Sequence, residues 1–211
     1  MIWLEVLVEG TSDVPAVKEV LKRRFGLEEN EHFRIHPHQG KGKLPENPLA
    51  RPDPNQRQLL HQLPAKLRGY ARSLSSDAVV LVVVDADDTP CAELLADLNS
   101  MLAKLPARPA RVLFRLAIEE TESWFIADPS AVKRAFPKAK IAALKRLQPD
   151  AIVGAWERLA EAIGVPTKSS GTDKRRWATQ ICPHLDLEQP ASPSLGKLIS
   201  GVARELQAER K

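Results

Sequence analysis

The sequence predicts an α/β protein whose largely parallel sheet is covered by helices on both faces. Segment 78–84, AVVLVVV, is apolar on both strand faces and rich in β-branched residues, which is typical of a central strand in a parallel sheet. Strand-like and helix-like segments alternate through residues 2–118, as expected of parallel strands joined by crossover helices. After residue 128 only helix-like segments follow. We therefore expect an α/β core over residues 1–128 and a helical extension over residues 129–211 packed on that core.

The α/β part alternates short apolar runs, which predict strands, with segments whose apolar residues recur at helical spacing. Ser12 or Asp13 can cap the first helix, while Pro64 should kink or interrupt the second. A long loop rich in Gly, Pro and Lys, residues 37–56, is expected to be mobile. The strands are predicted at 2–8, 32–37, 78–84 and 111–118, and the helices at 14–25, 56–74 and 90–104.

The second half of the chain shows helical spacing without strand signals. Asp128 precedes Pro129, and this pair favours a helix start because Asp caps the first turn and Pro fits into it. Further helices are predicted at 131–136, 139–147, 150–163, 173–182 and 194–208.

Composition narrows the class of protein. A net charge of +4 and a pI near 9.1 permit a nucleic-acid or phosphate partner.

No apolar run approaches the roughly 20 residues that cross a bilayer, and the first residues carry no basic n-region, so we expect neither a membrane partner nor a secretory leader. Cys91 and Cys182 match no metal-binding spacing and are expected to be reduced thiols. These features predict a cytoplasmic protein.

Acidic residues follow three predicted strands at their carboxyl ends, where functional residues gather in open parallel sheets. Glu9 follows the first strand, and Asp85 and Asp87 follow the central one, with both side chains on the same side if the chain stays extended. A divalent cation would offset the repulsion between such carboxylates, and hard oxygen ligands suit Mg²⁺ or Mn²⁺. Each acid alone could instead cap the following helix, as Asp13 or Asp88 could. The candidate metal ligands are Glu9, Asp13, Asp85, Asp87, Glu119 and Glu122.

Three motifs, in this order, resemble the Toprim fold, and in particular its version in OLD-family nucleases and related small bacterial proteins. VEGTSD carries a glutamate after the first strand, at Glu9. VVVDADD carries a D-x-D after a very hydrophobic strand, at Asp85 and Asp87. IEETESWFIAD resembles the third, glutamate-bearing segment, which we match to Glu122 with Glu119 as the competing choice. The resemblance covers the predicted α/β core and matches nothing in the helical extension.

The resemblance implies a Toprim-like four-stranded sheet and Mg²⁺- or Mn²⁺-dependent hydrolysis of phosphodiester bonds in DNA or RNA. Glu9 would be a metal ligand or the general base or acid, Asp85 and Asp87 would hold metal, and Glu122 would complete the site. Tyr70, the only tyrosine, lies in a predicted helix well before the D-x-D, so hydrolysis is favoured over the strand passage of a topoisomerase. A role in phage defence or DNA repair follows from the family alone.

Two basic segments are candidates for holding a nucleic-acid backbone. In GKGK, residues 40–43, two lysines alternate with flexible glycines, but the segment lacks the P-loop pattern. KSSGTDKRRW, residues 168–177, is the second, and Trp177 within it is either a core residue or a platform for a base. The alternative for both segments is a solvated surface. The candidate nucleic-acid contacts are Lys41, Lys43, Lys174, Arg175 and Arg176.

A second hypothesis comes from a different class of function. The protein would be a metal- or nucleic-acid-binding regulatory module that keeps the fold without catalysis. A partner ATPase would then be expected, because OLD-type Toprim domains often work with one and this sequence contains no P-loop. The sequence leaves the oligomeric state open.

Overall fold

The sheet is all parallel, and its strand order is β2-β1-β3-β4. The computed structural model describes residues 2–151, 153–166 and 171–208. Within these residues the four predicted strands are confirmed, and with them the α/β class. The strands are β1 (Leu4–Val8), β2 (Phe33–Pro37), β3 (Val79–Asp85) and β4 (Arg111–Ala117).

Helices flank the sheet on both faces, as predicted. The N-terminal ones match their predicted positions to within a few residues, and Asp128 caps its helix by accepting a hydrogen bond from the Ala131 backbone N–H at 2.9 Å. The helices are α1 (Val14–Glu19), α2 (Leu59–Ser73), α3 (Cys91–Ala103), α4 (Glu122–Ile126), α5 (Pro129–Ala135), α6 (Ala155–Ile163), α7 (Gly171–Ile181) and α8 (Pro193–Ala208).

Helix predictions were wrong in two places in the second half. The predicted helix over 139–147 is reduced to a 3-10 turn at Leu144–Arg146, because the Lys140 backbone N–H bonds to the Ala162 carbonyl instead of within a helix. The next helix begins at Ala155 rather than at residue 150, because Gly154 is left-handed with φ of 76°.

Helix predictions also missed details in the first half. α2 runs through Pro64 without interruption, since its leucines pack against the sheet. α1 continues as a π-helical turn over Val20–Arg24. Asp13 stands at the start of α1, but its side chain makes no capping hydrogen bond.

Two hydrophobic layers sandwich the sheet, and alternate strand residues feed each of them. Val6 and Val8 pack against α1 and the helices of the second half, whereas Leu7 packs against α2 and α3. Apolar residues before and after residue 128 therefore share one core layer. The division into a core and an extension at residue 128 stays a prediction.

The sheet order brings the carboxyl ends of β1, β3 and β4 together as neighbours. Val8 of β1 pairs with Val83 of β3, and Asp85 at the end of β3 pairs with Ala117 at the end of β4. Cys91 and Cys182 are both free thiols, in keeping with the sequence analysis. None of the helices in the described part of the chain is long and apolar enough to cross a membrane.

Candidate active site

Glu9 lies directly after β1, at the centre of the carboxyl edge of the sheet. Its Oε2 atom is buried and has no hydrogen-bond partner among the described residues. Burial raises the pKa of Glu9 to about 7, and the negative charges of Asp13 and Asp87 push it in the same direction. Glu9 therefore carries an unsatisfied acceptor and exchanges its proton near neutral pH.

Asp13 joins the loops that follow β1 and β4. The residue is only 4% exposed. One oxygen accepts from the Gly10 backbone N–H at 2.7 Å, and the other accepts from the Thr121 hydroxyl at 2.9 Å. Burial raises its pKa, although these two hydrogen bonds oppose the rise. Asp13 thus links the two loops by hydrogen bonds. Its negative charge acts on Glu9 and Asp85.

Asp85 is the last residue of β3 and lies between the other acids. Burial raises its pKa well above the usual range, and the charges of Asp13 and Glu9 raise it further. Glu122 adds to this effect from the β4 side. Acids from three strand ends are therefore close enough to raise one another's pKa. We call Glu9, Asp13, Asp85, Glu120 and Glu122 the acidic edge.

Asp87 does not continue the strand alternation that the D-x-D spacing predicted. β3 ends at Asp85, and Asp87 is left-handed with φ of 46° because its backbone N–H bonds to the Glu119 carbonyl at 3.0 Å. Its side chain is 52% exposed and forms an ion pair with Lys41 at 3.0 Å. The prediction that Asp85 and Asp87 share one direction in extended geometry is wrong, although Asp87 stays near enough to act on Glu9.

Two glutamates of the acidic edge come from the segment that follows β4. Glu122 is 3% exposed, and its pKa is raised to about 7, chiefly by burial and despite the opposing charge of Lys174. Glu120 accepts a hydrogen bond from Lys174 Nζ at 2.7 Å, and the same ammonium lies 3.9 Å from Glu122. Burial alone would lower the pKa of Lys174, but these glutamates raise it above its usual value. Lys174 is thus a built-in counter-ion.

Glu119 serves the fold and lies outside the acidic edge. Its two carboxylate oxygens accept hydrogen bonds from the backbone N–H groups of Gly154 and Ala155, the second at 3.0 Å. These groups stand at the N-terminus of α6, so Glu119 caps that helix from a distant part of the chain. Of the two choices that the sequence left open, the structure brings Glu122 to the other acids and assigns Glu119 to capping.

The predicted basic contacts divide between the site and the surface. Lys41 is largely buried, and its ammonium donates to the Ala86 carbonyl and to Asp87, each at 3.0 Å. Lys43 is exposed, as are Arg175 and Arg176, and Arg176 pairs with Asp173 on its own helix. Residues 167–170 of the second basic segment lie outside the described residues. Trp177 is buried in the core and offers no face to a base.

The loop carrying Lys41 is held more firmly than the sequence predicted. The Gly40 N–H bonds to the Glu9 carbonyl at 3.0 Å, while the Gly40 and Lys41 carbonyls accept from Leu59 and Leu60. Gly42 has φ of 66°, and a Cβ there would lie 2.5 Å from the side chain of Gln58. These contacts place Lys41 over the end of β3.

The donor set of the acidic edge suits a hard divalent cation, since it offers several carboxylates whose charges the described cations offset only in part. Glu9 contributes a buried oxygen without a partner. However, within the described ranges no three Asp, Glu, His or Cys side chains converge so as to hold a metal ion. The donors therefore fit in chemistry, and cation binding requires side chains to turn toward one another.

Sequence reasoning passed over two residues of this site. Glu120 is not among the predicted ligands, and only its contact with Lys174 shows its place. Thr121 carried no signal, because its hydrogen bond joins it to a residue 108 positions away. The run of three glutamates in IEETE was the available hint, although spacing alone did not separate their roles.

These observations define the protein as a parallel α/β protein with clustered carboxylates at the carboxyl edge of its sheet. The chain belongs to the family described as Domain of unknown function (DUF4276), whose model matches residues 8–203. No curated protein matches the sequence. Among solved structures, the C-terminal region of the OLD protein of Xanthomonas campestris pv. campestris is similar, with a TM-score of 0.46 and 13% identity over 99% of this chain and 98% of that one.

Proposed function

We propose that this protein is a divalent-metal-dependent nuclease that hydrolyses phosphodiester bonds at the acidic edge. One observation carries the proposal. Glu9, Asp85 and Glu122 stand at the carboxyl ends of three adjacent strands, and burial together with neighbouring carboxylates raises the pKa of each. Keeping unfavourable charge together in this way is characteristic of functional sites. The motifs that resemble Toprim nucleases lie on these same residues.

Glu9, Asp85 and Asp87 would hold a Mg²⁺ or Mn²⁺ ion, with Glu122 completing the site. The ion would supply charge neutralisation for the scissile phosphate and a lower pKa for a bound water. As the alternative to holding the ion, Glu9 would accept the proton of the attacking water, a role that suits its raised pKa of about 7. Lys41, held over the end of β3, would stabilise negative charge on the phosphate oxygens.

The experiment is a cleavage assay on supercoiled, linear and single-stranded DNA and on RNA, in EDTA, Mg²⁺ and Mn²⁺. Asp85→Asn and Glu9→Gln would be run beside the wild type. Asp97→Asn is the matched control, because Asp97 is exposed on α3 away from the acidic edge. Metal-dependent cutting that persists in Asp97→Asn and disappears in the other two variants supports the proposal. Cutting that survives in Asp85→Asn contradicts it.

A second candidate function is a regulatory module that binds without catalysis, acting with a partner ATPase. The observation in its favour is that the protein supplies its own cations: Lys174 pairs with Glu120, and Lys41 pairs with Asp87. Under this hypothesis the wild type cuts no substrate in any metal. Calorimetry with Mn²⁺ would then show either no binding or a single ion without turnover.

A further inference from the structure

A polar cavity of about 480 Å³ opens at the β2 edge of the sheet, outside the acidic edge. Four basic side chains line it: His36 and His38 from the end of β2, Arg57 from the following loop, and Lys66 from α2. Within the described parts of the chain, no carboxylate lines it. We call it the β2-edge cavity. Its charge and polarity suit an anion rather than an apolar ligand.

The two cations of the cavity have no counter-ion in place. Among the described residues, the side chains of Arg57 and Lys66 form neither a hydrogen bond nor an ion pair. Burial lowers the pKa of Lys66, an effect that the more distant Glu5 only partly opposes. An anion in the cavity would relieve this cost, because an opposite charge nearby favours the charged ammonium.

The histidines form a fixed wall rather than a mobile surface. His38 Nδ1 lies 2.9 Å from the Val8 carbonyl and donates to it, so Nε2 is left as an acceptor. That Nε2 is buried and has no partner among the described residues. His36 Nε2 lies 2.7 Å from Glu5 Oε1, but the geometry is not that of a hydrogen bond, so this buried nitrogen has no hydrogen-bond partner among the described residues.

The rim of the cavity is tied to the acidic edge through the backbone. Gln39, which lines the cavity, donates its N–H to the Arg57 carbonyl at 3.1 Å. The next residue, Gly40, donates its N–H to the Glu9 carbonyl at 3.0 Å. A ligand in the cavity therefore lies at the flank of Glu9, in a frame formed before binding.

We propose that the β2-edge cavity binds a phosphate group, with Arg57 and Lys66 as the charged contacts. The source that the geometry favours is a backbone phosphate of a polynucleotide lying across the acidic edge, and this assignment rests on the proposed function. A free mononucleotide presents the same chemistry, so the test must separate the two sources.

Binding is measured in EDTA, which removes any metal from the acidic edge. Fluorescence anisotropy with a single-stranded oligonucleotide would compare the wild type, Arg57→Gln, Lys66→Gln and the double variant across salt concentrations. Each single variant should weaken binding several-fold and reduce the salt slope by about 0.7, the value for one phosphate contact on a single strand. Lys138→Gln, at an exposed position between α5 and α6, is the matched control and should bind as the wild type does.

A second readout reports on the cavity directly. Inorganic phosphate and adenosine monophosphate should each shift the ¹⁵N resonances of the His38 ring in the wild type, and these shifts should be lost in the double variant. If the oligonucleotide competes with phosphate for the shift, the polynucleotide is the source. If only the mononucleotide competes, the site takes free nucleotides.

The proposal is overturned if the double variant binds the oligonucleotide with the wild-type salt slope and phosphate leaves His38 unshifted. The outcome is independent of catalysis. Asp85→Asn should lose cleavage and keep the phosphate-induced shift. A wild type that never cleaves but shows the shift would remove the proposed nuclease activity and leave the phosphate site in place.

Discussion

The two halves of the acidic edge carry similar acids in different electrostatic settings. On the β4 side, Lys174 donates to Glu120 and lies 3.9 Å from Glu122, so part of the charge is neutralised within the protein. On the β1–β3 side, Glu9 keeps a buried oxygen without a hydrogen-bond partner among the described residues, and Asp85 is surrounded by other acids. Lys41 pairs with Asp87, and the charge of Lys174 also acts on Asp13 and Asp85.

This difference shows that the role of an acid at a strand end depends on the groups that its side chain contacts. Glu119 meets the N-terminus of a helix and caps it. Glu120 meets a lysine and pairs with it. Glu9 and Asp85 meet mainly other carboxylates, an arrangement that costs stability in the free protein. We infer that the β1–β3 side depends on a ligand for its counter-charge, whereas Lys174 supplies part of that charge on the β4 side.

The largest expected effect is on cleavage. Asp85→Asn or Glu9→Gln should reduce metal-dependent cutting by at least about 100-fold, because each removes a carboxylate that holds metal or moves a proton. Initial rates on the preferred substrate in Mg²⁺ measure this. If Glu120→Gln lost as much activity as Asp85→Asn, the distinction between the two halves would fail.

Removing the built-in counter-ion should strongly destabilise the fold. Lys174→Met removes the counter-ion of Glu120 and Glu122, and stranding buried charge in this way costs about 3 kcal/mol. Urea unfolding at pH 8 measures the loss. At pH 5 the loss should shrink, because Glu122, whose pKa is raised to about 7, is then protonated. An equal loss at both pH values would show that Lys174 acts through packing, including its contact with the Trp156 ring at 5.2 Å.

Glu122 should make the protein more stable in mild acid than in mild alkali. Its pKa is about 7 in the folded protein against 4.5 for an unperturbed glutamate, so the folded state retains a proton that the unfolded chain releases between those values. This contribution is complete below pH 4.5 and is lost as the pH rises through 7. Glu122→Gln mimics the protonated form and should be about 3 kcal/mol more stable than the wild type at pH 8.

Two measurements check the Glu122 prediction. Urea unfolding between pH 4.5 and 8 should give a flatter stability profile for Glu122→Gln than for the wild type. Glu9 should leave part of the slope in place, because its pKa is also raised to about 7. A variant that is less stable than the wild type at pH 8 would mean that the Lys174 ion pair outweighs the cost of burial.

The sequence was sufficient for the sheet and for the position of the acidic edge. Strand β3 is so apolar that only a buried central strand explains it, and parallel connections then bring the carboxyl ends together. The roles of individual acids depend on contacts that no local window contains. Glu119 accepts from backbone N–H groups 35 and 36 positions away, and Glu120 is paired with a residue 54 positions away.

Local backbone conformation was the other feature that could not be predicted from the sequence. The D-x-D spacing indicates a shared direction only while the chain stays extended, and Asp87 leaves the strand in a left-handed conformation. The 37–56 loop looked mobile from its composition, but backbone hydrogen bonds around Gly40 and Lys41 hold its first part. Such contacts depend on the assembled fold, so they could not be derived from the residue pattern.

The smallest expected effect separates capping from metal binding at Glu119. Glu119→Gln keeps one oxygen acceptor but loses the negative charge at the N-terminus of α6, which should cost about 1 kcal/mol of stability. Urea unfolding measures this cost, and it should be the same with and without Mg²⁺. Cleavage should be unchanged, because both oxygens of Glu119 already bind backbone N–H groups. If Mg²⁺ stabilised the wild type but not this variant, Glu119 would be a metal ligand, and the β4 side would belong to the reactive half of the edge.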